Sequence, residues 1–216
     1  MFRSSRKSFR VYYYISSLLP VYLFIVMFMI SIRVNHGKEL ITNIWKLTSS
    51  YKLVFYMFIF LLLISVFCLL KTRRIIEESK EYSVVLGTLM VEFKNQYNSG
   101  FRESILIIAL PMVSTISIEE YPLPTLMMIL VFQIFIFFLF LNSSDFFPNL
   151  SLLALGYSVF IVDQVNSQGS NLKYVFGKTS DIDSIVNNNH QQFQVVEIGE
   201  PNYSNDVGVI NEQHAN

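Results

Sequence analysis

The sequence predicts an α-helical polytopic membrane protein with four transmembrane helices and a small α+β module, ββαβ-like, after the last helix. Three observations lead to this fold class. Hydrophobic residues make up 52% of the chain and charged residues only 15%, against about 25% in a soluble domain. The apolar residues are concentrated before Leu141, whereas the chain after Pro201 is polar. Four segments contain no charged residue and no histidine: Val11–Ser31, Leu53–Leu70, Ser104–Ile118 and Thr125–Leu141.

The first, second and fourth segments are long enough to cross a hydrocarbon core about 30 Å thick. The third, Ser104–Ile118, covers only about 22 Å as a helix and has Pro111 in its middle. It either crosses with a kink or re-enters the membrane on the same side. The N-terminal residues superficially resemble a signal peptide, but the apolar run is too long and lacks a small-residue cleavage site, so we interpret it as an uncleaved first span.

Positive charges in the loops predict the orientation. Lys and Arg are abundant before the first span and in the second loop, and the third loop, Glu119–Leu123, has none. Because such residues accumulate in cytoplasmic loops, we place the N-terminus and the tail from Asn142 onward in the cytoplasm. Glu119 and Glu120 then lie outside, on a short turn that either faces a ligand or partner or is simply solvated. This pattern suits a multi-pass protein of a bacterial inner membrane, in contact with lipid.

Three domains follow from these patterns. Residues 1–145 form the transmembrane domain, with a cytoplasmic helical extension at 71–103, where apolar residues recur at helical spacing after a charged stretch. Residues 146–200 form the cytoplasmic module. Residues 201–216 are polar and predicted to be disordered. Within the module the pattern predicts strands at Tyr157–Val165, Leu172–Phe176 and Phe193–Ile198 and a short helix at Asp181–Asn189.

Catalytic chemistry is not predicted. The chain has no metalloprotease, phosphate-loop, nucleophile-elbow or dinucleotide-binding motif, and its three histidines are scattered among loops. Cys68 is the single cysteine and lies within the second span, so neither a disulfide nor a cysteine metal cluster is expected. We therefore expect no enzyme activity, no cofactor and no metal. The tail carries more acidic than basic residues, which gives no reason to expect nucleic acid binding.

Candidate functional residues belong to the spans and to the tail. Gln133, the most polar residue within a span, bonds either across an oligomer interface or to a neighbouring span of its own chain, and Pro111 shapes the third span. Gly156 and Tyr157 mark either a coupling joint between spans and module or a plain loop. We expect exposed strand edges of the module to bind a soluble partner. The residues assigned to that contact are Gly156, Tyr157, Tyr174, Phe176 and Phe193.

The layout resembles the KwaA family, the membrane subunits of the bacterial Kiwa anti-phage systems. The resemblance is carried by the basic N-terminus, the four spans, the stretch Pro148–Tyr157 (PNLSLLALGY), the strand Val159–Val162 and the small module after it. It implies a homo-oligomeric inner-membrane sensor of phage attack, with a tetramer as one option. It also implies a soluble cytoplasmic partner, KwaB, that binds DNA and acts on the phage.

Three functions remain open at this point. The first is a membrane sensor or scaffold that signals through its cytoplasmic side to a soluble DNA-binding effector. The second is an oligomeric ion-conducting or membrane-perturbing pore, although no ring of charges lies within a span. The third is a small transporter, which would need a discontinuous span in each of two repeated halves, and only Ser104–Ile118 is short.

Overall fold

A computed structural model describes residues 7–35, 49–81, 89–97, 118, 120–142, 146, 149–164, 172–178, 192–198 and 207–210. These residues form a bundle of long apolar helices and a small barrel of five strands that packs on one end of the bundle. The bundle and the barrel share one hydrophobic core, because a single apolar cluster runs from the helices into one face of the barrel.

Three helical segments are long and apolar enough to cross a membrane: Ser8–Ile32, Ser49–Ser79 and Pro122–Asn142. The first consists of α1 (Lys7–Ser17) and α2 (Leu19–Asn35), the second belongs to α3 (Ser49–Glu81), and the third is α4 (Pro122–Asn142). They confirm the first, second and fourth predicted spans. The predicted span at Ser104–Ile118 lies outside the described residues except for Ile118, which is fully buried.

The surface of these helices is that of a membrane protein. Every exposed large hydrophobic side chain in the described part of the chain lies on α2, α3 or α4, except Tyr121 and Leu155. Soluble proteins rarely expose so much contiguous apolar area, so these faces are those that contact lipid. One of them, on α4, forms a shallow apolar groove that is lined by Met127, Met128, Val131, Phe132 and Phe135.

The first span is broken at Leu18, between α1 and α2. Pro20 has no N–H, so it cannot donate the helical hydrogen bond to the carbonyl four residues earlier, at Ser16. Ser16 and Ser17 add to the distortion, because each hydroxyl donates to a carbonyl one turn back, that of Tyr13 (2.8 Å) and that of Tyr14 (2.7 Å). The helix resumes with the bond from the Tyr22 N–H to the Leu18 carbonyl, 3.1 Å.

The barrel is built from two distant parts of the sequence. Its strands are β1 (Leu89–Tyr97), β2 (Tyr157–Gln164), β3 (Tyr174–Lys178), β4 (Gln192–Glu197) and β5 (Val207–Ile210), and they are ordered β1-β2-β3-β5-β4 in a closed ring. β3 and β5 are parallel and the other neighbouring pairs are antiparallel. The short helix α5 (Leu150–Ala154) leads into β2. Because β1 precedes α4 and β2 follows it, membrane-spanning chain is inserted between two neighbouring strands.

The side chains of the strands alternate between the inside of the barrel and the helix bundle. Phe160, Val162, Leu172, Val175, Val195 and Ile210 form a separate core within the barrel. Gly177 and Gly208 face the same core, where an added Cβ would clash with Ile210 Cδ1 and Val195 Cγ1, respectively. The residues that belong instead to the core shared with the helices are Tyr157, Val159, Tyr174, Phe176, Ile198, Val207 and Val209.

Several predictions for the part of the chain assigned to the cytoplasm need correction. The helical extension predicted at 71–103 is confirmed as far as Glu81, but Leu89–Tyr97 is a strand. Its sequence alternates Val91, Glu92, Phe93 and Lys94, which is a period of two. The tail predicted to be disordered contains β5, whose four residues are all buried. The three predicted strands of the ββαβ-like module are confirmed as β2, β3 and β4, within a closed barrel, while the helix predicted at Asp181–Asn189 lies outside the described residues.

The prediction of exposed strand edges is also wrong for the described strands. Each of the five strands has a partner on both sides, because the ring closes between β1 and β4. The sequence pattern could not show this closure, since two of the five strands were assigned to other structures.

Candidate functional site: the contact between membrane helices and barrel

An aromatic cluster joins the ends of two membrane helices, α1 and α4, to the barrel. Its members are Phe9 and Tyr13 of α1, Phe140 of α4, Phe146 beyond α4, and Phe176 of β3. The Phe176 ring lies 5.7 Å from that of Phe9 and 5.6 Å from that of Tyr13, both in edge-on geometry. Phe146 lies edge-on to Tyr13 at 5.3 Å and to Phe140 at 5.7 Å. Such pairs stabilise a contact beyond their buried area, so this cluster fixes the barrel to the first and last spans.

Arg10 is enclosed by the same cluster and is only 6% exposed. Its guanidinium carbon lies 4.9 Å from the centre of the Phe146 ring and 5.9 Å from that of Phe140. Its Nη1 donates to the Phe140 carbonyl at 3.5 Å, near the carboxyl end of α4. A cation over aromatic faces and beside the last carbonyls of a helix is stabilised by both, so Arg10 links α1 to the end of α4.

A polar network, formed by Tyr13, Ser16, Asn149 and Ser151, attaches α5 to the broken first span. Asn149 Nδ2 donates to Ser16 Oγ (2.7 Å) and to the Tyr13 carbonyl (3.1 Å). Asn149 Oδ1 caps α5 by accepting from the N–H groups of Ser151 (3.0 Å) and Leu152 (3.3 Å). Ser151 Oγ donates to the Ser16 carbonyl at 2.9 Å. All these contacts are buried, so one asparagine both starts α5 and binds it to α1.

A second polar contact attaches α3 to the start of β2. Tyr157 Oη donates to Glu77 Oε1 at 2.9 Å, and Arg73 Nε donates to the same oxygen at 2.8 Å. Burial, followed by the hydrogen bond to the Glu77 carboxylate, raises the pKa of Tyr157, so its hydroxyl remains a donor at neutral pH. Arg73 and Glu77 are each about half exposed (47%), so their ion pair alone adds little stability. The contact connects the second span to β2, the strand that α5 also positions.

Gln133 lies at the centre of a polar cluster between α1–α2 and α4. Tyr22 Oη donates to Gln133 Oε1 at 2.7 Å, and Tyr14 Oη donates to the Gln133 carbonyl at 2.8 Å. Of the two alternatives for Gln133, the described structure therefore shows bonds within the chain. Gln133 Nε2 is buried without a hydrogen-bond partner among the described residues, and so is Ser65 Oγ in α3. Interhelical hydrogen bonds of this kind contribute roughly 0.6 kcal/mol each.

The structure places the residues that were assigned to a soluble partner mostly against the protein's own helices. Gly156 has φ = +83°, a left-handed conformation that glycine adopts without steric cost, and it separates α5 from β2. Tyr157, Tyr174 and Phe176 are 6%, 3% and 0% exposed, respectively. Phe193 pairs with Val91 through its backbone, and its side chain lies outside the described structure. A contact of these side chains with a partner would require the barrel to leave the bundle, and it stays a prediction.

The other predicted site residues, Pro111, Glu119 and Glu120, are not among those that the structure places at the contact between helices and barrel. Glu120 is exposed just before α4, at the end of that helix that is far from the barrel. Glu119 and Pro111 lie outside the described residues. No cluster of three potential metal ligands occurs in the part of the chain that the structure describes.

Sequence reasoning missed the residues that do the joining, namely Arg10, Ser16, Glu77, Asn149 and Ser151. Asn149 offered one signal, because an asparagine directly before an apolar run is a typical helix N-cap. The others became visible only when the fold placed them beside partners more than 75 residues away in the sequence.

Comparisons with known proteins place the chain in a family. Residues 9–203 match the family model described as anti-phage protein KwaA. No curated protein and no solved structure matches the chain.

Proposed function

The chain belongs to the KwaA family of anti-phage proteins, and from that premise we propose that it is the membrane sensor of a two-component defence system. In this proposal phage attack disturbs the bilayer, the packing of the spans changes, and the barrel carries the change to a soluble DNA-binding effector, a KwaB-like protein. The observation that supports it best is the convergence of three spans on one barrel. A sensor needs an element with two arrangements that both the stimulus and the effector can bias.

The geometry supports the barrel as that element. Its own core of six buried residues is distinct from the face that packs on the helices. The barrel can therefore move relative to the bundle without unfolding. The contacts that hold it come from α1, α3 and the end of α4, so a change in the relative position of these helices alters its attachment. We propose that the effector distinguishes a docked barrel from a displaced one.

We also propose a fourth crossing, with the N-terminus, the barrel and the C-terminus in the cytoplasm of a bacterial inner membrane. β1 belongs to the barrel, so Tyr97 lies on the barrel side of the membrane. The carboxyl end of α4 also meets the barrel, through Phe140. The other end, at Pro122, lies about 30 Å away along a helix of 21 residues. In the proposed topology the chain therefore crosses once more between Tyr97 and Tyr121, and the loop charges favour the barrel side as cytoplasmic.

This topology predicts opposite labelling of two introduced cysteines. In a chain whose own Cys68 is replaced by alanine, Glu120→Cys should react with a membrane-impermeant maleimide on intact spheroplasts. Lys178→Cys, which replaces an exposed residue of the barrel, should react only after permeabilisation. Cys68 is the single cysteine of the chain, so after its replacement the introduced cysteine is the only thiol that can react. Reaction of both positions from the same side would contradict the four-span topology.

The proposed function predicts a stoichiometric soluble partner. The tagged full-length chain, purified in mild detergent from cells that carry the whole defence locus, should contain an oligomer of this chain, such as a tetramer, and the effector. Native mass spectrometry would measure both stoichiometries. An oligomer that has no partner and that conducts ions in liposomes would contradict the sensor proposal and would indicate a pore.

A further inference from the structure

The break in the first span leaves one carbonyl whose hydrogen bond must come from elsewhere. In an unbroken helix the N–H of residue 20 would donate to the Ser16 carbonyl, but Pro20 has none. A buried carbonyl without a donor is costly, and the donor here is Ser151 Oγ, at 2.9 Å. The backbone defect of a membrane helix is thus satisfied by the barrel's leading helix, α5, which is far away in sequence.

The elements after Ser151 connect this bond directly to the barrel. α5 ends at Ala154, Gly156 makes the left-handed turn, and Tyr157 begins β2. Tyr157 is in turn bonded to Glu77 of α3. The nine residues from Asn149 to Tyr157 are therefore attached at one end to the first span and at the other end to the second.

We infer that the Ser16 carbonyl–Ser151 bond is a mechanical coupling that transmits bending of the first span at Pro20 to the start of β2. Bending at the break changes the direction of the Ser16 carbonyl. The Ser151 hydroxyl, which donates to that carbonyl, moves with it and carries α5 along. The coupling rests on the proposed sensor function and identifies how a change in the bilayer reaches the barrel. In this coupling Pro20 and Ser151 are positioning residues: Pro20 allows the first span to bend, and Ser151 passes the movement to α5.

The test is amide hydrogen exchange on the full-length chain in nanodiscs of two fluid lipids, dimyristoleoyl- and dierucoyl-phosphatidylcholine, which form a thin and a thick bilayer. The amides of Leu153, Leu155 and Gly156 report on α5, because each donates to a backbone carbonyl of that turn. In the wild type we expect their exchange rates to differ about threefold between the two bilayers, since hydrophobic mismatch costs fractions of a kcal/mol per ångström.

Ser151→Ala should abolish the difference between bilayers and should speed exchange in both of them about fivefold, the effect of losing one buried hydrogen bond. Pro20→Ala should also abolish it, because the new N–H donates to the Ser16 carbonyl. In the Pro20→Ala background, Ser151→Ala should then change the rates by less than about twofold, since both variants act on one contact. Ser158→Ala is the matched control, because Ser158 Oγ is buried without a partner among the described residues and its loss should preserve the difference.

Equal exchange of the wild type in the two bilayers would overturn the coupling, as would a difference that persists in Ser151→Ala or effects of the two substitutions that add. This measurement contains neither phage nor effector, so its failure leaves the proposed function standing. If the difference is abolished while Ser151→Ala cells still resist phage as well as the wild type, the coupling does not serve sensing, and the inference is overturned in that respect.

Discussion

Phe176→Ala should abolish protection against phage while the protein still inserts and the barrel still folds. The Phe176 side chain is fully buried and contacts the rings of Phe9, Tyr13 and Phe146, so its removal leaves a cavity between barrel and bundle. Truncation of a buried phenylalanine costs about 3–5 kcal/mol. That cost falls on docking, because Phe176 points away from the separate core of the barrel.

Two measurements would check this result. Efficiency of plating measures protection, and limited proteolysis of membranes measures whether the barrel has left the helices. Phe138→Ala is the matched control: the same substitution on α4 removes a side chain that is 58% exposed toward lipid, and protection should remain. Full protection by a Phe176→Ala chain that is expressed at the wild-type level would refute the importance of docking.

The second large effect is expected from a chain that ends at Asn205. It lacks β5, whose Val207, Val209 and Ile210 are 0%, 0% and 5% exposed. Burial of such side chains contributes about 1.5–3 kcal/mol each, and their sum approaches the whole stability of a small domain. β3 and β4 would also each lose a neighbour. The barrel should fail to close. Cells should then lose protection against phage, and the effector should be absent from purified complexes.

A chain that ends at Asn211 retains every described strand and is the control, with protection expected to remain.

Gly208→Val tests the same strand without truncation. A Cβ at this position would clash with Val195 Cγ1 and would lie 3.0 Å from the Val196 carbonyl oxygen, and the backbone contact cannot yield easily. A barrel that resists proteolysis in the Asn205 chain would show that β5 is dispensable and would contradict this prediction.

The membrane part of the fold was predictable from sequence because hydrocarbon imposes a strict rule. A span must be long, apolar and helical, so Leu53–Leu70 and Thr125–Leu141 could be identified from composition alone. The barrel follows weaker rules. β1 lies in the segment 71–103, whose first part is the end of helix α3. The prediction extended that helix over β1, beyond its actual end at Glu81. β5 is only four residues long and includes a glycine, so no periodicity identifies it.

The contact site was less predictable, and the reason is physical. Arg10, Glu77 and Ser151 have ordinary local explanations: a basic flank, the charged end of a span and a polar residue in a loop. Their importance comes from partners that only the tertiary structure brings near. Gly156 and Tyr157 were recognised as a candidate joint because glycine and a change of period mark a change of direction, and the structure places both between α5 and β2.

The insertion of membrane-spanning chain between β1 and β2 also determines the order in which the protein can be made. β1 leaves the ribosome early, but its neighbours β2 and β4 are synthesised only after α4, and β5 comes last. Strand pairing between such distant segments is slow compared with the local formation of helices. The barrel therefore closes only after the final span has been translated. A polypeptide that is interrupted during synthesis or incompletely inserted has no closed barrel, so the proposed signalling requires a finished protein in the membrane.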